Sequence, residues 1–502
     1  MITKICNEIL GFYYSQSKKK FSKSLPFLEN VQRQKLAKII EVLKDSDQWK
    51  NLSPMESYEE LVKKVPIRTY SDYRFLIEEQ KKSGKPLLSS HVIRYEPTSG
   101  SVEAQKWIPY TSAFLNEINL AAQVWMGDVY QRFPKIKNGR HYWSLSWLPE
   151  ELRGLTTSND TDFFPFYQKW ILGKLMAVPA EVALIKNPDA AWWATLIYLS
   201  SRKNLTLTSV WSPTFWIKVT EDIQKSWIDI SKSLNSGTWG KYEHELSQEL
   251  GPAPRRNINS LDLNSPDFFK KLWPRMNFIS SWDSSSSKLW AEKIKNIFSH
   301  TYFQGKGLWA TEGVVTIPFQ NRMCLAFQSH FFEFKDLETD EILPAWKLQK
   351  GKEYQPILWA SSGLLRYSLQ DRIRLTEFLE SVPCFEFVSR LHSTDLVGEK
   401  LDALWVQNLF LKNPDWKAFA LIGVREPEPR YYLVGQNVSH IDIEHELDQF
   451  YHYRVARQLG QLQSAKTVVM NDIFSFLQSF GSSRLVGRNK VEVLFEIDRL
   501  DL

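Results

Sequence analysis

Residues 305–313 read Gly-Lys-Gly-Leu-Trp-Ala-Thr-Glu-Gly. Leu308 and Trp309 make a short apolar strand, and Ala310, Thr311 and Glu312 follow it with a small residue, a hydroxyl and a carboxylate. In that order an indole can stack on a base, a hydroxyl can touch a phosphate, and a carboxylate can hold Mg²⁺, a hard cation that takes oxygen ligands. Taken by itself the run reads better as an ordinary turn with an exposed Glu. Its weight depends on what surrounds it.

Upstream, short apolar or Trp-rich runs at 205–211 and 276–282 alternate with helical patterns from Ile93 onward, the rhythm of α/β construction. Residues 1–90 carry Lys-rich helical periods, clearest over 34–43, punctuated by Pro54 and Pro66, and predict a helical cap. Downstream, 322–334 and 353–375 read as consecutive strands with turns at Asp340 and Gly351 and no helix between them. After a helix expected to open at Gly398-Glu399, residues 402–502 predict a small α+β unit. It has strands at 416–424 and 430–434 and one long helix over 443–461. The expected fold class is α/β, with a large N-terminal domain (1–388) containing a β-rich subdomain, a hinge (389–396) and a small C-terminal α+β domain (397–502).

The composition agrees. The chain has 502 residues, 43% hydrophobic and 24% charged, which excludes wholesale disorder. A net charge of +6 gives no footprint of a nucleic-acid binder, so any anionic partner is expected to be small. The three cysteines, Cys6, Cys324 and Cys384, are too few for a disulfide framework, which points to a reducing cytoplasm. The N-terminal run reads as an amphipathic helix, and the most apolar stretch, 190–199, is about half of the ~20 residues a membrane span needs. No membrane partner is expected. Aromatic residues reach 14%, enough for aromatic-lined pockets beside the core. Trp192, Trp193 and a helix over 113–130 are candidates either for an acyl pocket or for plain core packing.

Four further constellations matter. Thr98-Ser99-Gly100-Ser101, after a strand-like 92–95 and before Lys106, offers backbone and hydroxyl donors to a phosphate, though it is not a G-x-x-x-x-G-K-[ST] loop. Gly363-Leu364-Leu365-Arg366-Tyr367-Ser368-Leu369-Gln370-Asp371 ends in a carboxylate able to accept from ribose hydroxyls. Arg390 lies ahead of Asp395, Gly398, Glu399 and Lys400, and Gly487-Arg488-Asn489-Lys490 comes near the C-terminus. His445-Glu446 fails as a zinc-protease helix because the next ligand position is Gln449, and no G-x-S-x-G elbow occurs.

The order of these motifs resembles that of the adenylate-forming ligases. Within them the chain is most similar to the Gretchen Hagen family of acyl-acid amido synthetases, first named for auxin-responsive plant proteins, in its bacterial type. Leu272-Trp273-Pro274 with Ile279-Ser280-Ser281-Trp282, His330-Phe331-Phe332-Glu333-Phe334, and Gly351-Lys352-Glu353-Tyr354 support the narrower match. The resemblance runs from about residue 30 to Val493. It implies a firefly luciferase-like fold with a mobile small domain, and an ATP- and Mg²⁺-dependent ligase. Such an enzyme adenylates a carboxylic acid and passes the acyl group to an amine, an amino acid being the expected one, with a monomer as the working state.

By the resemblance, Thr98, Ser99, Gly100 and Ser101 hold ATP phosphates and Trp309 and Ala310 face adenine. Thr311 touches the α-phosphate, Glu312 binds Mg²⁺, and Asp371 holds the ribose. Arg390 sits at the hinge, and Lys490 acts in catalysis from the small domain. The chain departs from the family pattern at Val102 and Glu103, at Ser368 and Gln370, and at Leu391. A carboxylate at Glu103 opposes a triphosphate if it faces the loop. The alternatives are a non-catalytic member of the fold binding a nucleotide or an acyl ligand, and an acid-thiol ligase using coenzyme A.

Overall fold

The computed structural model describes residues 2–97, 106–143, 171, 173–284, 287–391, 393–394, 396–397, 399, 401–458, 460–480 and 492–500. The expected helical cap is present as helices Ile2–Ser24, Leu28–Leu43, Tyr58–Lys64 and Tyr70–Ser83. Pro54 and Pro66 flank the third, which starts on a capping box: Ser57 accepts from Glu60 N–H while the Glu60 side chain reaches back to Ser57. The first helix packs along helix Ser112–Arg132, where a Cβ on Gly127 would lie 2.6 Å from the Tyr14 carbonyl oxygen. Only glycine permits that approach.

A hairpin of β1 (Val92–Pro97) and β2 (Trp107–Thr111) leads into helix Ser112–Arg132, capped by Thr111, which accepts from Phe114 N–H. The α/β rhythm appears as a parallel sheet in the order β3 (Arg140–Trp143), β4 (Leu205–Ser209), β5 (Phe278–Ser281) and β6 (Tyr302–Gly305). Helices Pro188–Ser201, Pro213–Lys225 and Lys288–Ile297 lie between these strands in sequence. The sheet strands are almost wholly buried, as parallel strands covered on both faces must be. Trp192 and Trp193 belong to the helical core of this layer. The Trp193 indole donates to the Trp239 carbonyl and the Trp192 indole to Asp222, so of their two readings core packing is the one observed.

Gly307, at φ +79° and with the Thr316 oxygen 2.7 Å from where a Cβ would sit, turns the chain into a short hairpin of β7 (Trp309–Ala310) and β8 (Gly313–Val314). An antiparallel sheet follows, built among the described residues from β9 (Thr316–Phe319), β10 (Arg322–Leu325), β11 (Phe331–Asp336), β12 (Ile342–Pro344), β13 (Glu353–Trp359), β14 (Tyr367–Ser368), β15 (Asp371–Leu379) and β16 (Val382–Arg390). Its order is β12-β11-β13-β15-β16-β10-β9, with β14 beside β13. This is the predicted β-rich subdomain, interrupted only by a 3-10 turn at Ala345–Lys347.

After β17 (Ser393–Thr394) and β18 (Leu401–Asp402), the C-terminal part forms a mixed sheet from β19 (Ala418–Glu426), β20 (Arg430–Gly435), β21 (Lys466–Val469) and β22 (Leu494–Arg499), in the order β21-β20-β19-β22. Two expectations are corrected here. The helix expected at Gly398-Glu399 begins at Ala403, because Asp402 caps it by accepting from Leu404 and Trp405 N–H. Glu399 is instead buried in the preceding turn, accepting from Leu396 and Val397 N–H. The helix expected over 443–461 is two, Ile443–Asp448 and Tyr451–Gln458, because the chain turns at Gln449 and seats Phe450 edge-on against Trp405. Among the described residues no helix is long and apolar enough to cross a membrane.

Candidate active site

The hairpin of β7 and β8 presents Thr311 and Glu312 at its turn. It is held from several sides. Tyr110 of β2 donates to the Thr311 carbonyl at 2.9 Å, and Thr316 accepts from Leu308 N–H at 2.8 Å. The Tyr367 hydroxyl of β14 donates to Glu312 Oε1 at 3.1 Å. Removal from water raises the Glu312 carboxyl above its ordinary value, with Tyr367, Arg390 and Lys106 acting in the opposite sense. A carboxylate in this setting favours a cation brought against it.

Tyr367 is itself positioned by its neighbour. Arg366, at φ +49°, turns inward and grips Glu333 with two bonds of 2.8 and 2.9 Å, while it donates to the Val62 and Val65 carbonyls. Trp359 and Tyr58 also donate to Glu333, so its buried carboxylate is fully engaged. In the Arg-Tyr pair of the sequence motif, the Arg locks the turn and the Tyr reaches the site.

Asp371 opens β15 directly across from Arg390, which closes β16. Arg390 Nε lies 3.7 Å from Asp371 Oδ1, and its Nη1 lies 3.6 Å from Glu492, just ahead of β22. Asp371 Oδ1 is buried and accepts no hydrogen bond from the described residues. A buried acceptor left open in this way suits a ribose hydroxyl. Among the described residues no group of three or more His, Cys, Asp or Glu is gathered for a metal, so a cation at Glu312 would complete its shell with phosphate and water oxygens.

Beside the hairpin, the carboxyl ends of β3 to β6 carry a cluster of indoles, at the end of the sheet where ligands of α/β folds bind. Each strand delivers a residue there: Trp143 ends β3, Trp211 follows β4, Trp282 follows β5, and Lys306 follows β6. The Trp211 ring is 5.6 Å from Trp282 and 6.0 Å from Trp309, and Trp125 lies 6.1 Å from Trp143 and 6.3 Å from Trp309. The buried Lys306 ammonium sits 4.5 Å from the Trp211 ring centre and 5.1 Å from Trp125, and donates to Ser209 Oγ at 2.7 Å. Trp211, Trp282 and Trp309 are each half-buried.

Of the residues expected from the sequence, the structure brings together Trp309, Ala310, Thr311, Glu312, Asp371 and Arg390. Thr98, Ser99, Gly100, Ser101, Glu103 and Lys490 lie outside the described residues. Sequence reading missed Tyr367 as the partner of Glu312, Tyr110, and the indole cluster with Lys306. The available signal for the cluster was a Trp at the end of β3 and just beyond β4 and β5.

The molecule has the fold of an acyl-acid amido synthetase. Its architecture matches that of GH3.15 acyl acid amido synthetase at a TM-score of 0.74, with 16% identity, over 96% of this chain and 93% of that one. The same enzyme in complex with 2,4-DB matches at 0.75 over 98% of this chain and 94% of that one. Residues 17–303 match the GH3 family N-terminal domain and residues 323–390 the GH3 family central domain, and the chain belongs to the GH3 family. It is similar to indole-3-acetic acid-amido synthetase GH3.4 of Arabidopsis thaliana, 21% identical over 380 residues, covering 65% of this chain and 61% of that protein. Indole-3-acetic acid-amido synthetase GH3.2 of the same plant is 21% identical over 377 residues, covering 65% of this chain and 67% of the relative. The match to GH3.4 thus spans about three fifths of that relative's length.

Proposed function

We propose that this chain is an ATP-dependent ligase that adenylates an aromatic carboxylic acid and transfers the acyl group to the amine of an amino acid. The observation that carries this reading is the adjacency of the Glu312–Tyr367 and Asp371–Arg390 pairs to a cluster of indoles at the strand ends. The named activity of the curated relatives, indole-3-acetic acid amidation, and the 2,4-DB held by GH3.15 support the same substrate class.

A carboxylate is a poor electrophile because its oxygen leaves badly. In the first half-reaction a carboxylate oxygen attacks the α-phosphorus of ATP and pyrophosphate departs, which turns that oxygen into part of a good leaving group. In the second the amine nitrogen attacks the acyl carbon, the C–N bond forms, AMP leaves with the former carboxylate oxygen, and the amine proton passes to solvent. Asp371 accepts from the ribose, Arg390 offsets charge beside it, and the indoles of Trp211 and Trp282 stack on the acid and exclude water. Mg²⁺ supplies charge neutralisation on the phosphates, and Glu312 is the residue that would hold it.

Thr98, Ser99, Gly100 and Ser101 as the phosphate loop, Trp309 and Ala310 beside adenine, and Lys490 as the adenylating cation belong to this proposal on their sequence resemblance. So does the division into 1–388, a hinge at 389–396 and 397–502. The working form is a monomer in the reducing cytoplasm, where three free, buried cysteines stay reduced. The test is acid-dependent exchange of labelled pyrophosphate into ATP across aromatic and aliphatic acids, followed by an amine-versus-thiol acceptor screen. No exchange with any acid means a binding protein, and thioester in place of amide means a coenzyme A ligase.

A further inference from the structure

We infer that His330, held by Glu117, is a positioning residue that sets the place of the Glu312 carboxylate. The inference rests on the reading of Glu312 given above and goes beyond it to residues that hold the backbone of the hairpin.

Val314, two residues beyond Glu312, donates its N–H to His330 Nε2 at 3.2 Å. His330 is wholly buried, and its Nδ1 meets Glu117 Oε2 at 3.1 Å. These two contacts fix the tautomer: Nδ1 carries the proton and gives it to the carboxylate, leaving Nε2 as an acceptor. Glu117 also takes the Ser361 hydroxyl at 2.7 Å and the Ser361 N–H at 3.1 Å, and Lys35 lies 3.3 Å away. The carboxylate is therefore saturated with donors, and the imidazole cannot swing without breaking a buried charged hydrogen bond.

The backbone of His330 is fixed as well. Gln32 donates to the Phe327 and His330 carbonyls and accepts from Phe332 N–H. On the hairpin side there is no slack: a Cβ on Gly313 would lie 3.0 Å from His330 Nε2 and 2.6 Å from Leu358. The chain of contact runs from helix Leu28–Leu43 and helix Ser112–Arg132 through Glu117 and His330 to Val314, and so to the turn that carries Glu312. Burial lowers the tendency of His330 to take a second proton, with Glu117 pulling the other way, so the acceptor nitrogen is kept.

The arrangement has the logic of an outer shell around a metal ligand, in which a group that never touches the cation fixes the one that does. Tyr367 holds Glu312 by its side chain, and His330 holds the hairpin through the backbone at Val314.

The experiment compares the full-length protein with His330→Leu, which removes the acceptor, and His330→Gln, which keeps a polar atom close to the place of Nε2. Two readouts are taken: hydrogen–deuterium exchange of the peptide covering 308–316, and the Mg²⁺ dependence of ATP binding by calorimetry. In His330→Leu the peptide should exchange faster, and the Mg²⁺ needed for half-maximal ATP binding should rise about tenfold, the lower end for outer-shell changes. His330→Gln should restore both most of the way. Should His330→Leu fail to fold, Gly313→Ala strikes the same contact from the hairpin side and is expected to do the same. Unchanged exchange in a folded variant overturns the inference, as does faster exchange with an unchanged Mg²⁺ response. If the unmodified protein shows no Mg²⁺-dependent ATP binding, the reading of Glu312 as the metal ligand falls, and the positioning inference falls with it even if exchange rises.

Discussion

Tyr367→Phe removes one oxygen and leaves the ring, so it isolates the bond to Glu312. That ring packs 6.2 Å from Tyr73 and is almost fully buried, and the turn beneath it is locked by the Arg366–Glu333 pair, so the fold should survive. A hydrogen bond to an ionised group contributes about 1.5–3 kcal/mol. Glu312 is only partly buried and the 3.1 Å contact is of ordinary length, which places this bond near the lower end. A loss of about 1.5 kcal/mol in holding the carboxylate corresponds to about tenfold in the Mg²⁺ required for half-maximal adenylation. The assay is acid-dependent pyrophosphate exchange against Mg²⁺ concentration, with the acid at saturation. The KM for the acid should stay as it was, since the acid is assigned to the indoles of Trp211 and Trp282 and not to Tyr367. An unchanged Mg²⁺ curve in a folded, active Tyr367→Phe protein would refute the placement of Glu312 at the metal.

Other substitutions separate the remaining parts of the site. Asp371→Ala should raise the KM for ATP about tenfold with little change in kcat, because ribose contacts are made equally in ground and transition states, and steady-state kinetics check it. Lys306→Met keeps the length of the side chain and removes its charge, and is expected to raise the KM for the acid about tenfold while leaving ATP binding alone, read by exchange across the acid panel. His141 is buried and shares a 3.2 Å hydrogen bond with the Ile136 carbonyl, and burial drops its pKa to about 4. The unfolded chain takes up the proton near pH 6.5 and the folded one does not, so stability is complete above pH 6.5 and falls between pH 6.5 and 4. Going from pH 7 to pH 5 should cost about 2 kcal/mol from this residue, and His141→Gln should shed that part of the acid sensitivity in urea unfolding.

Much of this architecture was legible because it rests on local periodicity. Short apolar runs at 205–211 and 276–282 became parallel strands, and the alternating runs after residue 322 became an antiparallel sheet. The failures lie where tertiary contacts decide. Glu399 looked like a helix opening because it is acidic and follows a glycine, yet burial against Tyr431 draws it into a turn and leaves the capping to Asp402. The long helix over 443–461 has an unbroken period, and only the packing of Phe450 on Trp405 shows why it turns. At the site, Glu312 and Asp371 were found by motif order, whereas Tyr367 was read as part of a motif without a role. His330 was read only as part of a family-like run and its pairing with Glu117 not at all, because the two are 213 residues apart in the chain and meet only in the fold.

The magnitude of the Arg390 contacts bears on the proposed hinge. Arg390 closes β16 of the central sheet and reaches both Asp371, on its own sheet, and Glu492, ahead of the last strand of the C-terminal part. The contact to Glu492 is 3.6 Å long between side chains 43% and 26% exposed, a pair that contributes about 0–1 kcal/mol and weakens with salt. An aromatic contact between the two parts, Trp290 to Phe419, has ring centres 6.5 Å apart. Weak contacts of that kind suit the proposed hinge, since a buried ion pair at Arg390 would hold the C-terminal part in a single pose.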